Sequence, residues 1–194
     1  MSKSHRLKQY LKYRHRAKSR HGVHSPFVYD LVEELLRQKR SPAGLILITS
    51  KHKKLVNKIL HYLQCKHILW LTNTNGAADT FVSIEREAGN QINLQTKRFD
   101  FQKSDAYPPP DIYLLDVADP VDWLNAWERY KPLLRPDDII LITAIHYSRA
   151  HTKTWEAIAA NTAVRLSVDL FKVGLLFFKD EFKEKQHFVL KHAK

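Results

Sequence analysis

Four histidines are the first residues in this chain whose type and spacing suit chemistry. His21 and His24 form an H-x-x-H pair, and His146 and His151 bracket the stretch IHYSRAH. As zinc ligands they lack the i, i+4 spacing and the glutamate of the metalloprotease helix, and a chain with 11 histidines produces such pairs by chance. No metal site is expected from them. Proton transfer is better founded, because imidazole titrates near neutrality, and His24 and His146 are the candidate general bases. His146 follows the apolar run DIILITAI, which places it just past the C-terminal end of a parallel strand, where such sheets bind ligands. The competing reading is a histidine hydrogen-bonded within a loop.

A second candidate is HILWLTNTNGAADT, residues 67–80, a buried strand opening into a loop and then a helix. Such junctions hold nucleotides when glycines let the backbone approach the ligand. Here Gly76 is the only glycine, preceded by Asn73, Thr74 and Asn75. Asp116 closes another apolar run, DIYLLD, and reads either as a ligand group or as a loop cap.

Positioning these residues requires an alternation of strands and helices. Helical spacing predicts helices over 5–19, 27–40, 53–63, 77–88, 121–134 and 152–160. Apolar runs predict strands at 67–71, 91–96, 111–117, 138–145, 166–178 and 187–191. Strands apolar at almost every position belong to a parallel sheet covered on both faces, so the fold class is α/β. Only the short segment 179–185 separates the last two strands, which predicts that they pair antiparallel. The organisation is a single domain over 1–194, with a basic helical extension at 1–40 and a sheet core at 64–194.

The chain has 194 residues, 44% of them hydrophobic, which suffices for one core without disulfide or metal support. A lone Cys65 suits a reducing compartment, and no apolar run approaches the ~20 residues of a membrane-spanning helix. A cytoplasmic location is expected. The net charge of +12 attracts polyanions, and its distribution is uneven. Lys3, Arg6, Lys8, Lys12, Arg14, Arg16, Lys18 and Arg20 all precede the first acidic residue, Asp30. On the first helix they surround Leu7, Tyr10 and Leu11. That pattern suits phosphate tracking on nucleic acid, an anionic membrane surface, or a stripe packed on the domain with its charges in water. Of these the packed stripe is expected, with polyanion binding on the other face compatible with it.

Three stretches, RHGVHSPFVYDLV (20–32), IHYSRAHTKTWEAI (145–158) and VDLFKVGLLFF (168–178), together with the ending QHFVLK, resemble a bacterial family of S-adenosylmethionine (SAM)-dependent methyltransferases related to the O-methyltransferases. The resemblance spans nearly the whole chain and implies a Rossmann-like fold: a mostly parallel sheet, an antiparallel C-terminal hairpin and preceding N-terminal helices. It also implies a cofactor site after the first strand, at Asn73, Asn75, Gly76 and Asp116. Several family features are replaced here. Trp70 stands at the acidic position ending the first strand, and Thr72 stands at the first glycine. Gln95, Thr96 and Lys97 stand where a ribose-binding acid belongs, with Asp100 a distant substitute. The family's metal partners of Asp116 fall at Thr143 and Ala144. The segment between Gly89 and Asp111 is also short for the expected elements, so the cofactor half is shortened.

The resemblance therefore leaves two readings, ranked by these losses. The first is a degenerate, non-catalytic methyltransferase-like scaffold or binding module, for which no cofactor is expected. The second is a divergent active enzyme that binds SAM through the loop amides around 73–76, with His24 or His146 as base. RNA or anionic-surface binding through the basic helix is compatible with either.

Overall fold

Apolar runs that need cover on both faces set the architecture. The computed structural model describes residues 3–18, 25–37, 52–72, 80–85, 91–98 and 110–191. In chain order the elements are α1 (Lys3–Arg16), α2 (Pro26–Arg37), α3 (Lys53–Tyr62), β1 (His67–Thr72), β2 (Thr80–Glu85), β3 (Gln91–Arg98) and β4 (Ile112–Asp116). They continue with α4 (Pro120–Tyr130), β5 (Ile139–Thr143), α5 (Arg149–Ala160), β6 (Leu166–Asp169), β7 (Val173–Phe177) and β8 (Gln186–Val189). The strands form one mixed sheet in the order β2-β3-β1-β4-β5-β7-β6-β8. Six strands point the same way, and β2 and β7 run against them.

Helices cover both faces. On α2, Val28, Leu31, Val32 and Leu35 recur at helical spacing and meet Leu55, Val56, Ile59 and Leu60 of α3 over Ile68, Leu114, Leu141 and Leu175. On the other face, Trp123 and Trp127 of α4 and Trp155 and Ile158 of α5 pack over Leu69, Leu71, Leu115 and Ile142. Both of these helices are capped from the sequence. Asp119 accepts from the Val121 amide at 2.9 Å ahead of Pro120, and Ser148 accepts from the His151 amide at 3.3 Å. Beneath the sheet, Asp138 is 1% exposed and takes the Arg135 guanidinium at 2.7 Å. The same guanidinium donates to the Pro110 carbonyl at 2.7 Å, while Asp111 accepts from the Lys66 and His67 amides. This clamp joins the N-terminal ends of β1, β4 and β5.

Two expected elements differ. The helix expected over 77–88 is, at 80–85, the strand β2, paired antiparallel with β3 so that Ser83 faces Asn93; its remaining residues lie outside the described set. Thr80, Phe81, Val82 and Ile84 are strand-favouring types, and their pairing covers an edge of β3 that would otherwise be open.

The single strand expected over 166–178 is the hairpin β6–β7. Asp169 Oδ1 accepts from the Phe171 amide at 2.7 Å, and Phe171 turns the chain with φ at 65°. The antiparallel hairpin is thus β6–β7, whereas β8 pairs parallel with β6. No long crossover is needed, because β8 is reached from the reversed β7. Leu166 at the start of β6 lies between Phe177 and Gln186, so the chain only steps past one strand end.

Candidate functional site

In open α/β sheets the natural binding crevice lies beyond the strand C-termini, where the strand order reverses. Here β1 has β3 on one side and β4 on the other. Thr72 of β1 and Asp116 of β4 are paired at that rim. Asp116 Oδ1 accepts a 2.6 Å hydrogen bond from the Thr143 hydroxyl at the end of β5. Burial raises the Asp116 pKa, and the hydrogen bond from Thr143, with the nearby Trp70 indole, only partly opposes this. The Trp70 N–H lies close enough to favour the carboxylate, yet makes no hydrogen bond of normal geometry among the described residues. Thr143, one of the two residues at the metal-partner positions, is thus spent on Asp116 as a donor. No three His, Cys, Asp or Glu side chains converge as a metal set among the described residues.

The register places Arg98, the last residue of β3, level with Thr72. No acid stands along β3 where a ribose-binding carboxylate would lie. Asn73, Asn75 and Gly76, with Thr74 and Asp100, lie outside the described residues, as do His21 and His24.

His146 is placed in detail. Ala144 leaves β5 in the left-handed region, φ 59°, and its amide bonds the Lys172 carbonyl at 2.7 Å. That turn drives His146 inward to 8% exposure. Its Nε2 meets Asp169 Oδ2 at 2.7 Å and its Nδ1 meets Thr152 Oγ1 at 3.1 Å. The ring stacks on Phe171, with centroids 5.4 Å apart. Two non-glycine residues at positive φ, Ala144 and Phe171, therefore flank one buried histidine, and strained backbone of this kind persists only where its surroundings over-determine it.

Thr152 has one hydroxyl proton and two partners, the His146 ring and the Ser148 carbonyl at 3.1 Å. A proton can thus be arranged in two ways. Either neutral His146 accepts from Thr152, or a doubly protonated ring donates to both Asp169 and Thr152. Both nitrogens are occupied in this arrangement, so His146 can hold a proton but offers no free lone pair to a substrate.

His151 forms a second buried set. Its Nε2 lies 3.0 Å from the Ala118 carbonyl, which can only accept, so Nδ1 is left to accept from the Ser148 hydroxyl at 2.7 Å. Burial lowers the His151 pKa, against the Ala118 bond and the charge of Asp119. A hydroxyl donating to a neutral imidazole resembles the start of nucleophile activation. It is equally a helix-capping pair, since the same Ser148 Oγ accepts from the His151 amide at the start of α5.

The basic helix is oriented by its tyrosines. Tyr13 and Ala17 are buried, and Tyr10 and Tyr13 pack on Phe171 at 5.2 and 5.1 Å. The Tyr13 hydroxyl donates to the Leu190 carbonyl, and burial, with Asp169 nearby, raises its pKa. The expected stripe of Leu7, Tyr10 and Leu11 is therefore split, because Leu7 and Leu11 are 60% and 58% exposed. Arg6, Lys8, Lys12, Arg14, Arg16 and Lys18 are exposed around them. Lys3 begins the helix with its side chain undescribed, and Arg20 lies outside the described residues.

Sequence reasoning reached His146 but missed Asp169 and Thr152. Thr152 was readable as one helical turn beyond the S-x-x-H cap. Asp169 was hidden inside an apolar run taken as one strand.

No helix among the described residues is long and apolar enough to cross a membrane. No protein-family model matches the chain, and no curated protein or solved structure matches it.

Proposed function

We propose that this chain is a degenerate SAM-methyltransferase-like protein that no longer uses the cofactor and acts as a scaffold or binding module. One observation carries the reading: the chain after β1 runs at 80–85 as a strand antiparallel to β3. A nucleotide-binding junction relies on a helix N-terminus there, whose free amides and dipole meet the ligand's polar groups. Trp70 in place of an acid and the acid-free β3 point the same way. The described residues of β1 and β3 offer SAM no acidic group. The reversed hairpin strand β7 within a mostly parallel sheet supports the methyltransferase-like, Rossmann-type origin.

The other reading, a divergent active methyltransferase, draws support from the switch-point rim. There a buried indole N–H without a hydrogen-bonding partner among the described residues lies beside a carboxylate held neutral more readily than usual. Calorimetric titration with SAM and with S-adenosylhomocysteine separates the two. No saturable heat is expected from either ligand, and micromolar binding of either one overturns the first reading in favour of the second.

A further inference from the structure

We propose that α1 is an interfacial helix that docks this protein on an anionic phospholipid surface, with Leu7 and Leu11 as the inserted residues. The inference goes beyond the lost cofactor site and does not depend on it. It starts from the fixed rotation of the helix. Tyr13 is tied to the Leu190 carbonyl, Tyr10 and Tyr13 lie on Phe171, and Lys18 continues into a parallel bridge with Leu190. With that face held, Leu7 and Leu11 fall about 100° around the helix from it, clear of the contact, and both are more than half exposed. They are i, i+4 neighbours and so form one continuous apolar ridge.

The charges complete the surface. At 100° per residue, Arg14 lies on one flank of the ridge and Lys8 and Lys12 lie on the other. No acidic side chain occurs on α1. Leucines in the headgroup layer with cations reaching lipid phosphates on both sides is the arrangement of an interfacial amphipathic helix.

Nucleic acid shares the phosphate chemistry but fits less well. A phosphate-tracking helix gains nothing from two exposed leucines. The aromatic rings of α1 that could stack on bases are turned inward onto Phe171.

The test uses the full chain in flotation assays, with vesicles of phosphatidylcholine alone and with about one-third phosphatidylserine. Binding is expected only to the anionic vesicles. Leu7→Ser/Leu11→Ser is expected to weaken it by about tenfold or more while leaving the melting temperature unchanged, since neither side chain is buried. Lys8→Gln/Lys12→Gln/Arg14→Gln is expected to abolish it. The proposal is overturned if the wild type fails to float with anionic vesicles. It is also overturned if the serine variant floats as well as the wild type, or if a single-stranded RNA oligonucleotide binds tighter than the vesicles with no dependence on Leu7 and Leu11.

Discussion

Gly174 offers the sharpest check on how the site's supporting helix is seated. It lies in β7, and a β-carbon placed on it would fall 2.5, 2.6 and 2.9 Å from Cζ3, Cη2 and Cε3 of Trp155. Carbon atoms settle at about 3.5–4.0 Å, so the indole would have to retreat by about 1 Å. It has little room to do so, being 1% exposed on α5 within the Trp123–Leu176 core. Overpacking of this kind costs about 1–3 kcal/mol, and a rigid ring in place of a flexible chain end puts Gly174→Ala in the upper half of that range. For a chain of this length each kcal/mol moves the melting temperature by about 2–4 °C, so a fall of about 4–12 °C is expected. Thermal melts followed by circular dichroism, with urea titrations for the free energies, measure it. The steric cause is isolated by repeating the substitution in a Trp155→Leu background, where its cost should drop below about 0.5 kcal/mol. An unchanged melting temperature, or an equal cost with and without the indole, would refute the reasoning.

Arg135→Ala should cost about 1–3 kcal/mol, because it strips buried Asp138 of its guanidinium while the half-exposed arginine was itself partly screened. Arg135→Lys should not restore the loss in thermal melts, since a single ammonium cannot serve Asp138 and the Pro110 carbonyl with the same fork. The His151 pKa lies below 6.5 in the fold, so the unfolded chain takes up the proton first as pH falls. Its contribution to stability is therefore complete above pH 6.5 and is lost as pH drops through the folded value. His151→Gln should flatten that mildly acidic slope in pH-dependent melts. Asp116 has the opposite sign: its pKa is raised above 3.8, so ionising it on the way to neutral pH weakens the fold. Asp116→Asn keeps an acceptor for Thr143 and should melt at or above the wild-type temperature at neutral pH. A clear loss there would mean that the carboxylate charge is compensated by a group beyond Thr143 and Trp70.

Much of the framework was legible because burial on both faces leaves a continuous apolar signature. β4 and β5 lie within their predicted runs, as do the apolar stripes of α2 and α3, and β1 outruns its own by one residue, Thr72. The misreadings have specific physical origins. In TFVSIE the alternating β-branched and aromatic residues carried a strand signal that was overridden by the place of the segment after β1. The hairpin within 166–178 escaped notice because its turn uses neither glycine nor proline. Asp169 caps the turn and Phe171 takes the left-handed backbone, so composition gave no punctuation. That error hid the partner of His146, since Asp169 faces the ring only once the chain reverses after it. The split stripe on α1 was likewise out of reach, because only the partners Phe171 and Leu190 determine which side of the helix turns inward.

The bond from Tyr13 to Leu190 joins residues 177 positions apart. The adjoining contacts of Lys18 with Val189 and Lys191 are nearly as distant in sequence. A ribosome adding about 5–20 residues per second needs roughly 10–35 s to cover that distance. During this interval α1 lacks its docking partners, and its tyrosines have no Phe171 to meet. Its orientation is thus acquired only once residue 190 has been made, and a chain terminated before that point would carry the cationic segment without the means to aim it.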